Sequence, residues 1–202
     1  MLEAVRTVPF WQLCGGMYTC GFSMSLLSAH GVPMLTDHGY HAMLASSALG
    51  VLGASSFAGV MLLGAIADRF GRRPVLAWLY GTRVLALPRD VPRARQPASA
   101  ARRHRRLGGA SMSGSLAMTS ALTADIFGRF SVGSIFGTIF VVHQGGAALG
   151  SWLGGFLFEM TGGYGAAFAI ASVQLLVAAV VSLTLDETVC GAGRLRPAAA
   201  ER

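Results

Sequence analysis

The residues of this chain whose types could do chemistry are few, and all lie in or beside long apolar runs. His143 and Gln144 stand together in the middle of one run, Arg83 interrupts a second, and His30 lies near the end of a third. An ionisable side chain inside such a run is costly to hold in lipid, which makes it a default candidate for a solute or proton path. His143 with Gln144 could meet a carboxylate or relay a proton near neutral pH. A histidine hydrogen-bonded across a helix interface is the alternative, and both readings stand. His30 reads better as an interfacial structural residue. Arg83 is a candidate anion site if its run crosses a bilayer, and an interfacial residue if the run ends at Pro88. Ser46, Ser47, Ser55 and Ser56 read as packing residues bonded to their own backbone. Cys14, Cys20 and Cys190 show no metal-ligand spacing and read as small buried hydrophobes. No nucleophile–base pairing or phosphate loop occurs. Neither an enzyme, a cofactor nor a metal is expected.

The elements that must carry these residues follow from composition. Hydrophobic residues make up 53% of the 202 and charged ones only 12%, against about a quarter charged in a soluble domain. Four segments are long and apolar enough to span a bilayer, which takes about 20 residues. They run over 8–35, 42–67, 132–158 and 164–185. Two further pieces are marginal: 74–87 stops short at Pro88, and 107–124 is rich in Gly and Ser. Between them, 88–106 combines Pro, Ala and Arg with hardly a large apolar residue, and is expected to form neither core nor span. The first apolar run is too long for a signal h-region and reads as a spanning helix.

The net charge of +7 comes entirely from arginine, since lysine is absent. Arg6 precedes the first span, Arg69, Arg72 and Arg73 follow the second, Arg129 precedes the third, and Arg194 and Arg196 follow the fourth. The positive-inside rule then predicts a multi-pass cell-membrane protein with both termini cytoplasmic. The Arg69 and Arg129 loops share a side, so an even number of spans separates them. Six spans would put the arginine-rich segment outside, against the rule. Four keep it inside, and four is the expectation from charge.

After the second span comes Gly64-Ala-Ile-Ala-Asp68-Arg69-Phe-Gly71-Arg72-Arg73-Pro74. Gly64 permits close packing, Gly71 frees the turn, Asp68 suits a neighbouring helix N-terminus, and the arginines hold the loop at the cytoplasmic face and can pair with Asp68. This loop resembles the G-x-x-x-D-R-x-G-R-R signature of the major facilitator superfamily, where it acts as a conformational latch. Phe10-Trp11 through Phe22 with His30-Gly-Val-Pro33 resembles the first helix of a C-terminal half in that family. Ala124-Asp125 through Arg129, with His143-Gln144-Gly-Gly-Ala-Ala-Leu-Gly150, resembles the approach to and body of its fifth helix. The flavour is that of the oxalate/formate antiporter and monocarboxylate transporter-like branch. Neither the 42–67 nor the 132–158 span carries Arg or Lys, which speaks against a dianion such as oxalate. Gly133-x-x-x-Gly137 and Gly146-x-x-x-Gly150 are spacings that favour close helix contact.

The resemblance implies an all-α membrane fold: the C-terminal six-helix half of such a transporter, with third and fourth helices disrupted and four firm transmembrane helices. The expected parts are 1–87 (two spans, the signature loop and a partial third helix), 88–106, 107–188 (a weak fourth helix and two spans) and a cytoplasmic tail at 189–202. The implied activity is secondary transport of a small solute, an organic anion or monocarboxylate. The chain itself reads as a truncated, non-transporting half whose N-terminal half is missing. The alternatives are a membrane scaffold or helper, self-associating through glycine-rich faces, or a pseudogene product. The 88–106 segment is read as out-of-frame GC-rich sequence, with a basic loop binding anionic lipid or nucleic acid as its rival. It lacks interleaved aromatics for stacking. The expected partners are therefore the bilayer, a solute and a second half, with no nucleic acid.

Overall fold

The computed structural model describes residues 2–37, 41–86, 98–128 and 130–185, and everything described is helix or short turn. A one-turn α1 (Leu2–Val5) precedes α2 (Val8–Asp37), α3 (Ala42–Phe70), α4 (Arg72–Ala86), α5 (Ala98–Phe127), α6 (Val132–Thr161) and α7 (Gly165–Leu183). Helix α2 lies at the centre, seated most extensively on α6 and also touching α7, α3 and α5. Helix α3 runs along α5, while α4 packs between α5 and α7.

The helix ends follow local chemistry. Gly71 takes φ 87° and ψ 153°, a region open essentially to glycine alone, and its N–H bonds the Ala67 carbonyl at 2.9 Å. The chain can therefore leave α3 and start α4 one residue later. Gly162 ends α6 in the left-handed conformation, its N–H on Phe158 O at 2.8 Å.

Polarity is arranged inside-out relative to a water-soluble bundle. On α7, Ala167, Ala171, Leu175 and Ala178 recur every three or four residues on the buried face. Val173, Val177 and Val180 on its other side are more than half exposed. Trp152, Leu176, Met61 and Phe57 are likewise exposed, whereas Arg83, His143, Ser23, Ser115, Thr119 and Thr123 are buried. An apolar exterior around polar interior groups suits lipid as the solvent. Among the described residues, α6 and α7 are long and apolar enough to cross a membrane.

The two marginal pieces lie in helices α4 and α5, which pack into the body. At 15 residues α4 is about 22 Å long, still short of the roughly 30 Å hydrocarbon core. Of the 88–106 segment, residues 98–106 begin the 30-residue helix α5. Ala and Arg rank among the best helix formers, so a stretch unable to supply a core can still be helical. Residues 88–97, Cys190 and the 189–202 tail lie outside the described residues.

A glycine seam explains how closely α2 and α6 approach. A Cβ on Gly146 would collide with the Tyr18 carbonyl, one on Gly150 with that of Phe22, and one on Gly21 with that of His143. The Gly146-x-x-x-Gly150 spacing thus sits at a backbone-to-backbone contact, where only the absent side chain leaves room. Gly133 and Gly137 face open space instead.

Candidate functional site: a buried polar cluster and a clamped loop

Arg83 is 2% exposed and projects from α4 among α2 and α5. Its Nη1 donates to Cys20 Sγ at 3.3 Å and Ser23 Oγ at 3.2 Å, and its Nη2 to the Ser111 carbonyl at 2.5 Å and Ser115 Oγ at 3.1 Å. Nε has no partner. No carboxylate is among these partners, so nothing in the contact set other than the Cys20 thiol could acquire a compensating negative charge. Arg83 is thus buried within the helical body.

Cys20 is fully buried. Its Sγ lies 3.1 Å from Ser115 Oγ and 3.7 Å from Met24 Sδ. The His143 ring lies beside this sulfur. His143 Nδ1 donates to Gln144 Oε1 at 3.1 Å, and the ring stacks on Phe140 at 5.2 Å with 7° between planes. Gln144 is exposed on the outer side of α6, so the two neighbours face different surroundings. Tyr80, one turn before Arg83, buries its hydroxyl near Gly16 and Thr119.

His30 is placed apart from this cluster. Its Nε2 donates to the Ser151 carbonyl at 2.8 Å, and its ring lies 5.3 Å from that of Tyr164. It fastens α2 to α6 at the end remote from the signature loop.

Cys20, Ser23, Tyr80, Ser111 and Ser115 were not singled out in the sequence. Ser111, Ser115, Thr119 and Thr123 recur every four residues, which puts them on one face of α5. Thr119 and Thr123 bond the carbonyls four residues back at 2.8 and 2.7 Å. That period was the available signal. Cys20 had none, because its partners come from other helices.

The signature loop is built differently from the expected Asp68 pairing. Asp68 and Arg69 are exposed, and among the described residues Asp68 makes no ion pair. Arg72 Nη1 instead reaches α5, pairing with the Asp125 carboxylate and donating to the Ala121 carbonyl at 3.1 Å. An acid in the last turn of a helix is unfavourable beside the negative dipole end, and the guanidinium offsets both charges. Arg73 is half-buried beside it, and Gly64 opens the last turns of α3 without a close neighbour. Among the described residues no cluster of His, Cys, Asp and Glu could hold a metal ion.

The helical body thus combines an apolar exterior, polar groups inside and a basic loop clamped between two helices. No protein-family model matches the chain. It is, however, similar to a protein of Bacillus subtilis (strain 168) named as an uncharacterized MFS-type transporter, YcxA. The two are 31% identical over 178 residues, covering 83% of this chain and 42% of the other. The similarity supports the major facilitator superfamily for this chain. The chain spans less than half the length of the relative it matches.

Proposed function

We propose that the chain is the C-terminal helical body of a major facilitator secondary transporter, working against a second body to move a small organic anion, a monocarboxylate foremost. The observation that carries this reading is the signature loop: Gly71 makes the turn that only glycine allows, and Arg72 ties it to Asp125 at the end of α5. A clamp of this kind holds one arrangement of helices and can release another, as a latch between access states must. The solute class is supported by Arg83, a buried cation without a carboxylate partner among the described residues. Solute sites in such transporters lie between two repeats at the bilayer midplane, so one body alone is not expected to transport. Gln144, exposed on α6 next to His143, is the side chain best placed to line that surface. His30 serves as an α2–α6 fastener in this scheme.

Reconstitution tests the proposal. The chain is placed in proteoliposomes alone and together with the part of the Bacillus relative outside the match, and uptake of labelled acetate, lactate and oxalate is followed under an inward proton gradient. Uptake of a monocarboxylate by the pair and not by the chain alone is expected. Uptake by the chain alone would contradict the two-body reading, and a pair that moves no organic anion would contradict the solute class.

A further inference from the structure

Two sulfurs and an imidazole meet across the α2–α6 seam. Cys20 and Met24 lie one turn apart on the same face of α2, where the thiol donates to the thioether at 3.7 Å. Between them in sequence, Gly21 approaches the backbone of His143 so closely that a Cβ would collide with its carbonyl. The imidazole of His143 lies beside the Cys20 sulfur. Cys20 is fully buried and His143 is 7% exposed, while the half-buried Met24 puts one member of the group at the surface of the body. Histidine, cysteine and carboxylates alone form no metal cluster among the described residues. Once the thioether is counted, three donors come together, two sulfurs and one nitrogen.

These three have the chemistry and spacing of ligands to a soft ion. Two metal–sulfur bonds of about 2.3 Å span the 3.7 Å between Sγ and Sδ at an angle of roughly 107°, close to tetrahedral. His143 Nδ1 donates to Gln144 Oε1 at 3.1 Å, which puts the ring proton on Nδ1 and a lone pair on Nε2. A ligating histidine is characteristically fixed through its other nitrogen in this way. Stacking on Phe140 holds the plane of the ring. Arg83 Nη1 at 3.3 Å and Ser115 Oγ at 3.1 Å can both donate to the Cys20 sulfur, which stabilises it as a thiolate. Thiolate and thioether select soft ions, Cu(I) among them, whereas hard ions require oxygen ligands. Charge selects further. A monovalent ion that replaces the thiol proton leaves the net charge beside the Arg83 guanidinium unchanged, while a divalent ion adds a positive charge next to a buried one.

We propose that Cys20 Sγ, Met24 Sδ and His143 Nε2 form a three-coordinate site for a soft monovalent metal ion, Cu(I), that ties α2 to α6. Binding forms one bond from each donor to the metal and breaks the Cys20 S–H bond. The balance is Cu⁺ + Cys20–SH giving Cys20–S–Cu + H⁺, with the proton released to the medium. Copper stays Cu(I), so nothing is oxidised or reduced. The site belongs to this chain alone and does not rest on the transporter reading. Its consequence is mechanical: an ion bonded to both helices braces a seam that otherwise depends on glycine packed against backbone.

The test uses the full chain in lipid nanodiscs, carrying Cys14→Ala and Cys190→Ala so that Cys20 is the one thiol. Silver nitrate in chloride-free buffer supplies Ag(I), a redox-inert stand-in. An anaerobic acetonitrile complex supplies Cu(I) itself, and zinc nitrate is the divalent control. Metal retained per chain after desalting is counted by mass spectrometry, and copper X-ray absorption reads the donor atoms. A single Ag(I) or Cu(I) ion per chain is expected, with two sulfurs and one nitrogen around the copper. Cys20→Ala should abolish retention. Met24→Leu and His143→Phe should each weaken binding about 10-fold or more, the first losing a sulfur from the absorption spectrum and the second the nitrogen. Bound Ag(I) should raise the melting midpoint of the chain and leave that of Cys20→Ala unchanged. The absorption spectrum with all three ligands in place identifies the donors without relying on the folding of any ligand variant. No retained ion, or zinc held as tightly as silver, overturns the site. So does binding unchanged by Met24→Leu and His143→Phe, which would mean a lone thiolate capturing metal.

Discussion

At the scale of single residues, the side chains that matter most are those whose environment contradicts their type. Gly71 is held where a Cβ is strained whatever the surrounding space. Gly71→Ala should therefore cost roughly 1–3 kcal/mol, read as a lowered detergent-melting midpoint, with a larger effect than Gly64→Ala on the same loop. Arg72 is 30% exposed and its partner Asp125 49%, so their pair is worth only about 0–1 kcal/mol of stability. Arg72→Ala and Asp125→Asn should thus leave the melting midpoint nearly unchanged while sharply reducing flux in the assembled transporter. A loss of stability matching the loss of flux would make the clamp a structural brace and not a latch. His143, Gln144, Arg83 and His30 stood out in the sequence because polar residues in apolar runs are conspicuous. Cys20 did not, since a cysteine in an apolar run looks like a hydrophobe until Arg83, Ser115 and His143 converge on it from other helices.

At the scale of elements, the two halves of the sequence were legible for different reasons. Helices α2, α3, α6 and α7 follow the apolar runs to within a few residues at each end. Helix α5 does not, because apolarity measures what a segment can bury and helix propensity measures what its backbone prefers. The Ala- and Arg-rich stretch satisfies only the second. The glycines were legible as a pattern but not as a position. Gly146 and Gly150 meet the α2 backbone, whereas Gly133 and Gly137, at the same spacing, meet nothing. Substituting leucine at Gly146 should force α2 and α6 apart at a cost of about 1–3 kcal/mol or more. The same change at Gly133 should be neutral or mildly stabilising, because glycine is a poor helix former. Thermal unfolding of the two variants side by side checks the contrast, and equal effects would mean the seam does not govern α2–α6 packing.

At the scale of the whole molecule, charge and packing give different answers to how many helices cross the bilayer. Counting arginines keeps the 101–106 cluster in the cytoplasm and allows four spans. Packing joins α4 and α5 to the same body as α2, α3 and α7, which would favour six. The transporter proposal takes the packing answer, in which Leu79, Tyr80, Leu122 and Ile126 are buried against the other helices. The charge rule, by contrast, biases insertion and is known to yield to other signals. A six-helix body is also what the transporter proposal requires, since two such bodies make the assembly.

Sidedness tests this most directly. Single cysteines are introduced at His41, Ala94 and Phe130 in a chain whose three native cysteines are replaced, and sealed cells are treated with a membrane-impermeant thiol reagent. His41 precedes α3 and Phe130 precedes α6, on opposite faces of the body, and both are exposed. Six spans predict that Ala94→Cys labels from outside together with His41→Cys, while Phe130→Cys labels only after permeabilisation. Labelling of Ala94→Cys only after permeabilisation, together with Phe130→Cys, would mean that α4 and α5 do not cross, and the six-helix transporter body would fall with them.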